Sequence, residues 1–172
     1  AGAGDVIVFL HGLGGSRLSW QPQLEGLGST WRCAAWDMPG YGNSKPIAPL
    51  SFAALADAAA AWIGVLGGRA HVVGISFGGM IAQYLAAWHP DAVRSLTLLA
   101  TSPKFGLDGT RPESWRAARL APLDQGLQPA EFAESVLRSL AGRHLDDEAL
   151  SGQRAAMARV PAAGLRAAID CL

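Results

Sequence analysis

Residues 74–79 read Gly-Ile-Ser-Phe-Gly-Gly. They sit between an apolar run, His71-Val72-Val73, and a run with helical spacing, Met80, Ile81, Tyr84, Leu85 and Trp88. A strand that becomes a helix over so few residues leaves its central residue little backbone freedom. The turn pushes Ser76 into a strained conformation and lifts its hydroxyl above the sheet, the arrangement known as a nucleophile elbow. Gly74 and Gly78, two before and two after the serine, keep side chains out of the strand–helix crossing. A G-x-S-x-G pattern recurs by chance in a chain with 21 glycines, so the bland alternative is a turn whose serine caps the helix. The flanking periodicity favours the elbow.

Four apolar runs read as buried parallel strands: residues 6–10, 33–36, 72–75 and 93–99. Helical patterns separate them at 20–27, 52–66 and 77–88. Over 52–66, Phe52, Leu55, Ala59, Trp62, Ile63 and Leu66 fall on one stripe. The helix over 77–88 ends at His89-Pro90, where proline blocks continuation. This alternation implies an α/β fold, a doubly wound parallel sheet with its ligand site beyond the carboxyl ends of the strands. From 103 to 172 no strand pattern remains. Helices are expected there at 113–120, 130–140, 146–160 and 162–172. Pro129 favours the start of the second, and Pro122, Gly126, Gly142 and Pro161 act as punctuation. Residues 1–102 thus read as a sheet core and residues 103–172 as a helical lid over the site.

Half of the 172 residues are hydrophobic and 16% are charged, which suits a sizeable buried core. Lys plus Arg and Asp plus Glu both number 14, and no basic stretch points to nucleic acid or a membrane surface. No apolar run approaches the roughly 20 residues of a membrane span. Residues 1–5 carry neither the charged nor the apolar part of a signal peptide, so the expected location is the cytoplasm. They also lack an initiator Met, which points to a true N-terminus upstream. Cys33 and Cys171 have no metal-ligand spacing around them and suit a reducing compartment. Neither a metal nor an organic cofactor is expected.

The first strand runs into His11-Gly12-Leu13-Gly14-Gly15. Gly12 and Gly14 let backbone N–H groups point into a site, where they can hold an oxyanion. The Leu13 N–H and the Phe77 N–H, next after Ser76, are the candidate pair. A phosphate loop is the competing reading. The lysine of G-x-x-x-x-G-K-[ST] is absent, however, and the glycines do not form G-x-G-x-x-G with an acidic residue about 20 further on. His11 is expected to hold the loop by hydrogen bonds rather than to act as a base. Asp37, ahead of Met38-Pro39-Gly40, is expected to tie down a turn, with acid partner or nucleophile as alternatives. Trp20 and Trp115 are candidate walls of an apolar substrate pocket, with core packing alongside Phe105 as the alternative.

Three motifs now stand in order: His11-Gly12-x-Gly14, Asp37-x-x-Gly40-x-Gly42-x-Ser44 and Gly74-x-Ser76-x-Gly78-Gly79. In order and spacing the chain resembles the α/β-hydrolase superfamily, closely over residues 5–101 and loosely beyond. The turn at 36–40 and the run at 94–102 are most similar to bacterial ester and lactone hydrolases of the 3-oxoadipate enol-lactonase type. Meta-cleavage C–C hydrolases are less similar, because they usually carry Asn where Ile75 stands and Gly-Pro-Gly in the oxyanion loop. Epoxide hydrolases and haloalkane dehalogenases place Asp at the elbow, and Ser76 argues against both. The resemblance implies a serine hydrolase that forms an acyl-enzyme on Ser76 from a small carboxylic ester or lactone, without a cofactor. C–C bond hydrolysis, and ligand or partner binding without catalysis, are the alternatives.

The resemblance also implies the strand order second, first, third, fourth. It further implies an Asp or Glu, then a His, after later strands. Beyond Ser76 the sequence offers only His89, at a helix end, and His144, between two helices of the lid. The acids Asp146-Asp147-Glu148 read as the first turn of a helix. The triad Asp and His are therefore expected to be missing, as are strands on both sides of the four. Unpaired sheet edges invite association. The chain is thus expected to be part of a larger hydrolase, or else to be covered in an oligomer.

Overall fold

The computed structural model describes residues 4–107, 109–140 and 146–172. Its centre is strand β1 (Val6–Leu10), in which all five side chains are buried. Strands β2 (Arg32–Ala35), β3 (Ala70–Ile75) and β4 (Val93–Leu99) complete a parallel sheet in the order β2-β1-β3-β4. That is the order the resemblance implied. Alternate residues of β1 enter opposite layers, as the two-residue strand period requires. Val8 and Leu10 join the core formed with helices α2 (Phe52–Leu66) and α3 (Phe77–Trp88). Ile7 and Phe9 pack instead with Trp20 and Cys33 on the other face. There a capped 3-10 turn (Arg17–Trp20) leads into α1 (Gln21–Leu27).

Helix α2 buries Leu55, Ala56, Ala59 and Ile63 along one side. Complete burial of residues such as Leu55 and Ile63 contributes about 1.5–3 kcal/mol each. Ser51 starts the helix by accepting from the Ala54 N–H at 3.1 Å, and Gly67, at φ 132°, ends it. Helix α3 buries its first six residues and Leu85. Trp88, expected on the buried stripe, is 56% exposed and meets Tyr84 edge-on. The twelfth residue of the helix has passed the end of the sheet's cover.

Strand β4 departs from expectation as well. Its residues after Val93 are exposed, because β3 flanks it on one side and no strand flanks it on the other among the described residues. Strand β2 begins one residue earlier than the hydropathy suggested, since pairing with β1 starts at Arg32.

The remaining helices are α4 (Pro112–Asp124), α5 (Pro129–Leu140), α6 (Asp147–Met157) and α7 (Ala162–Asp170). Helix α5 packs on α6, α4 packs on α7, and α6 rests against the 3-10 turn. Pro122 was expected to interrupt α4 and instead lies within its last turn. A proline this near the C-terminus forgoes one intrahelical bond without breaking a long ladder. Asp146 precedes α6 and caps it, accepting from the Ala149 N–H at 2.7 Å. Gly142 and His144 lie outside the described residues. No helix among the described residues is long and apolar enough to cross a membrane.

Candidate active site

Strand β3 stops at Ile75 and α3 begins at Phe77, leaving Ser76 alone to turn the chain. Its backbone sits at φ 52°, ψ −118°, a sparsely populated region for an L-residue. Such a conformation costs on the order of 1–3 kcal/mol and persists only where the surroundings over-determine it. They do so here. The Ser76 N–H donates to the Leu99 carbonyl at 2.9 Å, and the Thr101 hydroxyl donates to the Ser76 carbonyl at 2.8 Å. The Gly79 and Met80 N–H groups reach the same carbonyl at 2.9 and 3.1 Å. Glycines make the crossing possible. A Cβ on Gly74 would stand 2.5 Å from the Gly78 carbonyl oxygen, and one on Gly78 would strike the carbonyl oxygens of Leu10 and His11. Ser76 itself is exposed and its side chain makes no capping bond, so its hydroxyl is free.

The loop after β1 passes directly over this serine. A Cβ on Gly12 would lie 3.5 Å from the Ser76 Cβ. His11 is fully buried beneath the loop and both ring nitrogens are used. Its Nε2 accepts from the Met38 N–H at 3.2 Å, which leaves the proton on Nδ1 to be donated to the Gly12 carbonyl at 2.8 Å. Burial holds the His11 pKa below its ordinary value, outweighing the Gly12 bond and the nearby Asp37. The Tyr41 hydroxyl donates to the Leu13 carbonyl, and burial pushes its pKa upward, so it stays a donor. Asp37 is spent on Arg17, accepting from its backbone N–H at 2.9 Å and pairing with its guanidinium. With Leu13 held by its carbonyl side, its N–H remains free. Among the described residues neither the Leu13 nor the Phe77 N–H donates to a protein acceptor.

These groups open on a cavity of about 650 Å³. Gly12, Leu13, Gly14, Ser76 and Phe77 line its floor. Trp20 and residues of α4 to α7, including Trp115, Phe132, Met157 and Leu165, form its walls. Trp115 also packs on Phe105, with ring centroids 4.7 Å apart, so it serves the packing and the pocket at once. Met157 closes on the loop, its sulfur 3.4 Å from where a Gly14 Cβ would be. A second cavity of about 530 Å³ lies between α4 and α7 and does not reach Ser76.

No base meets Ser76 among the described residues. His71 is bonded through Nδ1 to the Ser95 hydroxyl at 2.7 Å, and His89 through Nε2 to Asp57 at 2.7 Å. Neither these two nor His11 lines the serine's cavity. No cluster of three or more His, Cys, Asp or Glu suited to a metal occurs among the described residues. Thr101, Tyr41 and Arg119 belong to the site and went unnoticed in the sequence. Tyr41 had a signal, since it stands inside the Gly40-x-Gly42 turn of a recognised motif. Thr101 belongs through a tertiary contact and Arg119 through the cavity it lines, neither of which a local pattern reports.

A sheet of this order, a serine at a strained strand–helix turn and a glycine loop above it define a class. The model of the alpha/beta hydrolase fold family matches residues 5–148, and the chain belongs to that family. Its relatives include the pimeloyl-[acyl-carrier protein] methyl ester esterase of Chromobacterium violaceum, 39% identical over 140 residues, covering 81% of this chain and 54% of that protein. The esterase of the same name from Neisseria meningitidis is 35% identical over 134 residues, covering 78% of this chain and 50% of the relative. Among solved structures, a thermophilic esterase from Thermogutta terrifontis superimposes with a TM-score of 0.81 at 26% identity, covering 99% of this chain and 64% of that one. The chain spans about half the length of the curated relatives it matches. Those relatives are named for a methyl ester, not for the enol-lactone of the hydrolases that the sequence motifs resemble.

Proposed function

We propose that the protein containing this chain is a serine hydrolase of small carboxylic esters, acting through an acyl-enzyme on Ser76. The observation that carries this is the pairing of an exposed, backbone-strained serine with two unused amides at the floor of an apolar cavity. In the reaction Ser76 Oγ attacks the ester carbonyl, and the Leu13 and Phe77 N–H groups receive the developing oxyanion. Collapse of that intermediate expels the alcohol and leaves the acyl group on Ser76, and water then releases the acid. A serine hydroxyl needs a base to take its proton and to return it to the leaving group. We assign that base, and the carboxylate that orients it, to sequence beyond these 172 residues. That assignment fits a chain spanning half the length of its relatives.

Helices α4 to α7 act as a lid whose apolar inner face, with Trp20 and Trp115, receives the acyl chain. The relatives named above are esterases of a methyl ester, which makes acyclic methyl esters of aliphatic acids the first substrates to try. The motif resemblance to enol-lactonases makes small lactones the second. The test is turnover of both sets by the full-length protein and by its Ser76→Ala variant. Ester or lactone hydrolysis that depends on Ser76 supports the reading, and undiminished hydrolysis by the variant overturns it.

A further inference from the structure

We propose that Arg119 receives an oxyanion, a carboxylate or a phosphate, carried by the acyl part of the substrate at a point remote from the ester that Ser76 attacks. The proposal rests on the assignment of the serine's cavity as the substrate site. Trp115 and Arg119 lie one turn apart on α4 and so share a face of the helix. Both line that cavity, and the Arg119 guanidinium lies 5.6 Å from the centroid of the Trp115 ring. Arg119 is half-buried and makes no hydrogen bond or ion pair among the described residues.

Four other arginines of the helical side behave differently. Arg116 pairs with Asp170, Arg166 with Asp124, and Arg138 and Arg154 share Glu134. Each of those arginines is matched by an acid on the outer surface, while Arg119 faces a wall that holds none. Among the described residues Arg119 is the one charged side chain lining the cavity, and no Asp or Glu side chain lines it.

An unmatched cation over an apolar chamber has a specific chemical appetite. Partial exclusion of water strengthens its attraction for an anion. The planar fork of donors suits a carboxylate or phosphate held by two parallel bonds, and the Trp115 ring lies against the guanidinium that carries it. The ester end of the substrate then lies at Ser76 and its anionic end at Arg119. A neutral aliphatic ester fills the same chamber but leaves the arginine to water. Selection among esters that all fit the chamber follows from charge.

The test uses the full-length protein carrying Ser76→Ala, so that esters remain intact, titrated by calorimetry. The ligands are monomethyl suberate, methyl octanoate, and methyl octanoate bearing a terminal phosphate. One anionic ester is expected to bind about tenfold more tightly than the neutral one. The anionic ester that gains identifies the oxyanion. The preference is expected to vanish when Arg119→Gln is added and to survive in part with Arg119→Lys. Circular dichroism of both variants checks that α4 persists. Equal affinities, no binding of either anionic ester, or a preference that survives Arg119→Gln would each overturn the proposal. Continued hydrolysis in the Ser76→Ala background would strike instead at the acyl-enzyme, and the same affinity comparison would then be made with the non-hydrolysable methyl ketones of the three ligands.

Discussion

The floor and the walls of the cavity are built by different physics. The floor is backbone. The Ser76 backbone is held by three main-chain bonds and one from the Thr101 hydroxyl, the loop over it is pinned by His11 and Tyr41, and glycines bring α3 against the ends of β1 and β4. The walls are side chains on α4 to α7, mostly apolar apart from Arg119, and the helices that carry them are joined on the outside by exposed ion pairs. A backbone device tolerates almost no substitution, and a side-chain wall tolerates many. On the proposed function, the chemistry falls where the fold is least forgiving and substrate selection where it is most adaptable.

Loss of the nucleophile is the most damaging change expected. Ser76→Ala should lower turnover by the full-length protein roughly 10⁵-fold or more, with little change in melting temperature. Next comes the floor's backbone geometry. Gly78→Ala would drive a methyl group into the carbonyls of Leu10 and His11, and we expect a loss of more than about 4 kcal/mol in denaturant unfolding. Gly26→Ala on α1, where a Cβ meets nothing within 4 Å, should stabilise by up to about 1 kcal/mol. If both glycine variants behave alike, close approach is not what the elbow needs.

A third break targets the histidine under the loop. Burial depresses the His11 pKa, so the unfolded chain binds its proton more readily than the folded one. Stability then falls as pH drops below the ordinary value of 6.5 and goes on falling until the folded-state pKa is reached. His11→Gln should flatten that slope in denaturant unfolding followed across acidic pH. Smallest of all is a change on the outer wall. Arg166→Ala removes an exposed pair with Asp124 and should cost no more than about 1 kcal/mol by the same measurement. A larger cost would show that the helical side is as tightly specified as the floor.

The same contrast governs what the sequence disclosed. Helices α2 and α3 run over the residues that periodicity predicts, because apolar spacing and the His89-Pro90 pair are local signals. The elbow was equally legible, since strand, glycine, serine and helix are contiguous. The helical side was read less well. Pro122 reads as a break because the sequence does not show that it falls in the last turn. Exposure of Trp88 and of β4 depends on what lies beside them, which hydropathy does not encode. Thr101 sits 25 residues after Ser76, and Arg119 is set apart by lining the serine's cavity with no acid beside it. Neither property exists before the chain is folded.

The central claim is that Ser76 is an activated nucleophile in the complete protein. The most direct measurement is the intact mass of the full-length protein before and after a serine-directed fluorophosphonate, with the Ser76→Ala variant treated in parallel. One adduct is expected, located on the peptide that contains Ser76 and absent from the variant. No adduct, or an adduct that persists in Ser76→Ala, would contradict it.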